Sequence, residues 1–498
     1  MNSNNLITIV AFVLYLGSMI GIGIYTYRKT NSTSDYFLGG RSVGPWFTAL
    51  SAEASDMSGW LLMGLPGVAY FTGLKEAFWT AAGLIIGTYL NWFFVAKRIR
   101  KYSIHAKDSI TIPEFLANRF HDNSNILKTI SSMLIIVFFV VYTASGFLAS
   151  AKLFTAVFGL NYYIALLLGV VVILGYTLLG GYLAVVTTDF FQGSLMFIAL
   201  SLTAIIATIK CGGPGEAISK LGSFGQQFLN PFTSAPGTKY GAIDIISALS
   251  WGLGYFGMPH ILVRFMSIRS NEEVKTSRRI AMVWVTIAMA AALIVGVIGK
   301  IFLLPMVYES QSAAEAVFIA SMQNIFPTFI AGIFLCAILA ASMSTSDSQL
   351  LVAASAFSKD VYKAFIRKDA SDKETLMVSR ITVLVIAIIA IFLAMDPTSS
   401  IFDIVSYAWA GFGATFGPVV IASLFWRRSS KNGAIAAMVG GFITVVLWKQ
   451  LSGGIFDIYE LLPGFIIASI LMIVFSLLEK NPDKEVFAEF DRFQALED

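Results

Sequence analysis

Ser51-Ala-Glu53-Ala-Ser55-Asp56-Met-Ser58-Gly59-Trp60 packs two acids, three hydroxyls and a glycine into ten residues. Pro45 and Trp46 precede it, and the apolar run 61–70 follows it. Polar and ionisable groups at membrane depth are costly and mark function by default. A regular helix facing lipid cannot carry this stretch, so it predicts a membrane-spanning helix that is broken where the polar residues sit. Two plainer readings stand beside it: a wet, solvent-lining helix face, or an N-cap where a loop enters the bilayer.

The rest of the chain supplies the membrane context. Of 498 residues, 57% are apolar and only 13% charged, against about 25% charged in ordinary soluble chains. That apolar content is enough for roughly fourteen spans of about 20 residues. The expected class is an all-α polytopic membrane protein, which excludes a soluble enzyme, a nucleic-acid binder or a disordered scaffold for the chain as a whole. The opening MNSNN has no positive charge, and no small-residue cleavage site follows the first apolar run, so residues 6–27 read as a first span and not a signal peptide.

Thirteen apolar runs are long enough to be spans. They begin near Leu6, Pro45, Phe78, Ile126, Tyr162, Phe190, Ala242, Ile280, Phe329, Ile381, Ile401, Gly433 and Tyr459. With the N-terminus outside, 27 of the 34 Lys and Arg residues fall on the inner side. These include Arg28, Lys29, Arg41, Arg119, Arg264 and Lys480. The outer side keeps Lys75, Lys152, Lys210, Lys220, Lys239, Lys300 and Lys449. The positive-inside rule therefore favours N-out, C-in and an odd number of spans. The longest outer loop, 210–240, and the tail, 479–498, leave no room for a domain outside the bilayer.

A second interruption lies in the seventh span, at Trp251-Gly252-Leu-Gly254-Tyr255-Phe-Gly257-Met-Pro259-His260. It matches G-x-G-x-x-G, but a dinucleotide fingerprint needs a strand before it and a βαβ unit around it. Three glycines and a proline predict a locally unwound helix instead. Close packing through small residues is the plainer alternative. Spans two and seven are five apart, and matched breaks in two halves point to the binding site of a secondary transporter. Five is odd, so the halves would be inverted: spans two to six and seven to eleven, with one, twelve and thirteen peripheral. The corresponding segments are 1–44, 45–210, 241–426, 427–478 and the tail 479–498.

The third cluster is Ala340-Ala-Ser342-Met-Ser344-Thr345-Ser346-Asp347-Ser348-Gln349 in the ninth span. Helical spacing puts Ala341, Ser344, Thr345 and Ser348 on one face. Such hydroxyls suit a hard monovalent cation, with backbone carbonyls from an unwound span completing the shell. They also serve as plain interhelical glue. Asp189, near the start of the sixth span, is a further candidate or a simple helix cap. No catalytic set emerges: there is no Ser/His/acid arrangement, H-E-x-x-H, C-x-x-C or phosphate-binding Walker loop. His105, His121 and His260 lack metal-ligand spacing, Cys211 and Cys336 make no disulfide framework, and the sequon 31–33 falls on the inner side.

Four segments carry a family resemblance: SAEASDMSGWLLMGLPG (51–67), SWGLGYFGMPHILVRFM (250–266), ILAASMSTSDSQLL (338–351) and SYAWAGFGATFGPVV (406–420). Together they resemble the sodium/solute symporter family, and within it the bacterial proline symporters, over nearly the whole chain. The resemblance implies a five-plus-five inverted-repeat core and Na⁺-coupled uptake of L-proline across the cell membrane. It implies sodium ligands in the carbonyls of Ala54, Met57 and Ala341 and the hydroxyls of Ser344 and Thr345, with Asp56 orienting the site. Ser58, Gly59, Trp60, Tyr142, Trp251, Tyr255 and Pro259 match positions of the proline pocket, and Arg41 and Asp189 match positions that affect coupling. Glu53 and Asp347 depart from the family pattern, where a small and an uncharged residue are usual, and either alters ion affinity or permits proton coupling. No cofactor and no obligatory protein partner are expected beyond Na⁺, L-proline and the bilayer. Other solutes, such as another amino acid, pantothenate, a sugar or a compatible solute, remain open. A membrane sensor would add a signalling domain that the short tail lacks.

Overall fold

The computed structural model describes residues 3–27, 33–177, 181–235, 238–479 and 484–495. Arg28, Lys29 and Lys480, used above for orientation, and most of the sequon lie outside these residues. Ten helices among the described residues are long and apolar enough to cross a membrane, or eleven if the bent pair Ala242–Gly257 and Pro259–Ser267 is one span. The two remaining expected positions also hold helix. One is the shorter Tyr162–Thr177; the other is a broken run built of Pro45–Gly59, Trp60–Gly64 and Leu65–Thr72. Thirteen crossings are thus compatible with the fold, and span numbers below follow that order.

Spans four, nine and eleven form the interior. They are Ile126–Phe158, Thr328–Ser355 with its continuation Ala356–Ile366, and Ile401–Phe425. The apolar window of span eleven is 89% buried, whereas that of span thirteen, Leu461–Leu478, is 28% buried. Spans one, ten and twelve, Ser3–Tyr27, Asp372–Leu393 and Lys431–Trp448, likewise expose apolar faces. Exposed apolar surface of this extent belongs against hydrocarbon.

The breaks are where the polar sequence placed them. Ser58 takes a left-handed φ of 48°, an uncommon state for a residue other than glycine and a mark of functional sites. In span seven, a tight-turn helix Ser250–Gly257 gives way at extended Met258 to Pro259–Ser267, with a bend of 49°. Proline at the first helical position explains the restart. The glycines here also permit close packing: a Cβ on Gly252 would collide with the carbonyl of Gly83 in span three, and one on Gly257 with that of Phe412 in span eleven. Unwinding and close approach, posed above as alternatives, occur together.

Two expectations need correcting. Asp189 is not a helix cap, because it lies well inside Tyr182–Lys210, whose N-cap is Gly181. Arg264 is not a loop cation, since it sits within Pro259–Ser267 and is 1% exposed. At the end of the bundle that carries most basic residues, the tail helix Lys484–Ala495 docks on the body. Phe493 stacks on Tyr102 at 4.0 Å, and Arg427 pairs with Asp491 at 2.6 Å. At the opposite end, Lys152 of span four meets buried Glu315 at 2.5 Å, and Glu315 accepts the N–H of Phe402 at 3.1 Å.

Candidate functional site

The site is built where broken span two crosses span nine. Span nine remains a regular helix there, so Ala341, Ser344 and Thr345 share a face as their spacing predicts. Ser344 Oγ donates to the carbonyl of Ala54 at 2.9 Å and lies 3.2 Å from that of Ala341. Thr345 Oγ1 reaches the same Ala54 carbonyl at 3.4 Å. Four of the five expected cation-binding positions are therefore joined by hydrogen bonds. The fifth, Met57, is buried one turn along, and its carbonyl accepts the N–H of Trp60. Clustered hydroxyl and carbonyl oxygens suit a hard cation.

Asp56 stands at the crossing of spans two, four and seven. Its carboxylate accepts from Tyr255 Oη at 2.6 Å, and its backbone carbonyl accepts from Tyr142 Oη at 3.0 Å. Both tyrosines, expected for the solute pocket, thus tie the break in span two to its neighbours. Ser58 Oγ accepts the N–H of Trp60, capping the second half of the span. Gly59 faces the packing interface, because a Cβ there would meet Ala149 at 2.7 Å.

Above the break lies a wall of rings. Trp251 is 5.4 Å from Trp60, 5.2 Å from Phe402 and 5.2 Å from Tyr459, the last nearly parallel at 23°. Trp409 donates to the carbonyl of Trp251 at 2.7 Å and meets Tyr255 edge-on at 5.0 Å. Stacking at these distances adds about 0.5–1.5 kcal/mol per pair to area burial. Phe402, Trp409 and Tyr459 escaped the sequence reading. Nothing in an apolar run distinguishes a site aromatic from one facing lipid.

Asp189 belongs to a separate buried network. Ser51 donates to its Oδ2 at 2.6 Å, and Arg264 Nη2 lies 3.3 Å from the same oxygen. Arg264 also donates to Ser51 Oγ at 3.1 Å, to the carbonyl of His260 at 3.0 Å and to Ser348. Asp347 accepts from Thr177 of span five. Removing one partner of a buried ion pair leaves an uncompensated charge, at a cost of about 3–5 kcal/mol. Arg264→Gln is thus expected to lower the thermal midpoint of the purified protein by several degrees, and adding Asp189→Asn is expected to restore part of the loss. A midpoint unchanged in the single variant would show that the pair contributes nothing.

Arg41 stands apart from these groups. It donates to Asp108 at 2.9 Å, Ser103 at 3.0 Å, and the carbonyls of Met266 and Ser109 at 2.8 Å. It therefore ties the end of span seven to the segment that follows span three, Leu74–His105.

Residues 36–441 match the Sodium:solute symporter family. The chain is 46% identical over 489 residues to the Sodium/proline symporter of Escherichia coli (strain K12), covering 97% of this chain and 96% of that protein. It is 43% identical over 491 residues to the Osmoregulated proline transporter OpuE of Bacillus subtilis (strain 168), covering 98% of each. In fold, it matches a substrate-bound, outward-open Na⁺-coupled sialic acid symporter with a TM-score of 0.78 at 21% identity, over 96% of this chain and 99% of that one. With a helical, twice-broken bundle of this shape and relatives matched nearly end to end, the chain belongs to the sodium:solute symporter family.

Proposed function

We propose that this protein carries L-proline inward across the cell membrane together with Na⁺, by alternating access. The observation that supports this most is the meeting of the Ser344 and Thr345 hydroxyls with the Ala54 carbonyl, beside the break at Ser58. Sodium sits there between spans two and nine, held by Ala54, Met57, Ala341, Ser344 and Thr345. Asp56, fixed by Tyr255, supplies nearby negative charge without direct ligation. The N-terminus is outside and the C-terminus inside, and 45–210 and 241–426 form the two inverted repeats.

Proline packs its ring against the aromatic wall of Trp60, Trp251 and Tyr255, with Tyr142, Ser58, Gly59 and Pro259 completing the pocket. Its carboxylate faces the half-helices that begin at the two breaks, whose N-terminal ends are positive. Sodium holds spans two and nine together in the outward-facing state, which raises the fraction of protein able to take up proline. By reciprocity, proline tightens sodium binding. Arg41 couples this to the inner end through the carbonyl of Met266, and Asp189 does so through Ser51 and Arg264.

The test is uptake of labelled L-proline into proteoliposomes under an inward Na⁺ gradient, compared with K⁺ and H⁺ gradients. Accumulation under sodium alone is expected. Uptake driven only by protons overturns the choice of ion, and no proline uptake under any gradient overturns the choice of solute.

A further inference from the structure

Two buried carboxyl groups lie one helical turn apart in span two, and the sodium site described above answers only one of them. Glu53 is 2% exposed and Asp56 is 5% exposed. Trp92 Nε1 donates to Glu53 Oε1 at 3.3 Å, and Tyr255 Oη donates to Asp56 Oδ2. Among the described residues, no Lys, Arg or His bonds to either carboxyl group. Arg264, the cation on the neighbouring stretch of span seven, is taken up by Ser51, His260, Asp189 and Ser348.

Two oxygens at this junction are buried and lack any hydrogen-bond partner: Glu53 Oε2 and the amide Oδ1 of Asn91. They are tied to one another through short links. Asn91 precedes Trp92, which bonds Glu53, and Asn91 Nδ2 donates to the carbonyl of Tyr255 at 3.1 Å. Asn91 opens a wide helical turn, Asn91–Val95, inside span three. Such turns recur at functional sites. Buried oxygens left unpaired are costly, and two buried carboxylates a turn apart cannot both stay charged without a cation.

We propose that Glu53, Asp56 and the amide oxygen of Asn91 form a second monovalent-cation site, for sodium, at the junction of spans two, three and seven. Two sodium ions then accompany each solute molecule. Carboxylate and amide oxygens suit a hard cation. The second ion balances the charge that Glu53 adds, while the first stays with Ser344 and Thr345. This inference rests on the reading of the first sodium site given above.

Stoichiometry tests it directly. The full-length protein is reconstituted with the membrane potential held at zero and a tenfold inward Na⁺ gradient. Each coupled ion then contributes one factor of ten to the limiting proline ratio, so two ions give about 100-fold accumulation and one ion about 10-fold. The wild-type protein is expected near the higher value. Glu53→Gln, which keeps the shape and removes the charge, is expected to fall to about 10-fold. A wild-type value near 10-fold overturns the proposal, and so does a Glu53→Gln variant that stays near 100-fold. If the variant does not fold, or no proline moves at all, radiosodium bound per wild-type protein still decides. Two ions are expected there; one ion overturns the second site, and none overturns the first reading as well. A count of one sodium with proline-linked proton uptake assigns the charge on Glu53 to a proton and likewise overturns it.

Discussion

Replacing Ser344 with alanine is expected to raise the sodium concentration for half-maximal uptake by about 10- to 100-fold, while the proline requirement in saturating sodium barely moves. Ser344 Oγ lies within hydrogen-bonding distance of two carbonyls expected to bind the ion, 2.9 Å from Ala54 and 3.2 Å from Ala341. It braces spans two and nine, and the proposed site makes it a sodium ligand as well. A hydrogen bond to a charged partner is worth about 1.5–3 kcal/mol, which is about a factor of 10 to 150 in affinity. Thr345→Ala is expected to act in the same direction with a smaller effect, because Thr345 reaches the Ala54 carbonyl only at 3.4 Å. Sodium dependence at fixed saturating proline, and the converse, separates the two effects. Equal shifts in both constants, or none, would remove the cation from this crossing.

Trp251→Ala is expected to do the opposite, raising the proline requirement by about 30-fold with little change in the sodium dependence at saturating proline. The Trp251 ring touches Trp60, Phe402 and Tyr459 and so forms the centre of the wall. Truncating a central buried aromatic typically costs about 2 kcal/mol or more in binding. Its backbone carbonyl still accepts from Trp409 in the variant, so the tight-turn segment Ser250–Gly257 keeps that tether. Proline uptake with an unchanged proline constant would take Trp251 out of the pocket.

These two expectations fall on residues that the sequence made visible in different ways. Ser344 and Thr345 stood out because five hydroxyl-bearing residues within ten positions of an apolar span, Ser342, Ser344, Thr345, Ser346 and Ser348, are chemically conspicuous. Trp251 stood out through its glycine-rich neighbours and through the family resemblance of the segment around it. Phe402 and Tyr459, which touch it, carried no signal, since an aromatic residue at a span end is ordinary in any membrane helix. Arg264 was misread because a cation next to a basic loop looks like part of that loop. Only the bend at Met258 shows that it turns inward to Ser51 and Asp189.

The sequence by itself determined the membrane class, the positions of the spans and the two breaks. Those follow from local physics: the length of an apolar run, the cost of polar groups in hydrocarbon, and the backbone limits of glycine and proline. The tertiary structure decided which groups meet. Ser344 and Ala54 are 290 residues apart, Arg264 and Asp189 are 75 apart, and Asn91 and Tyr255 are 164 apart. Helix packing brings such pairs together through shape complementarity along whole spans, which no short stretch of sequence encodes. That same packing buries Glu53 beside Asp56 with no cationic side chain bonded to either among the described residues, a charge problem that arises only once the spans have closed around them.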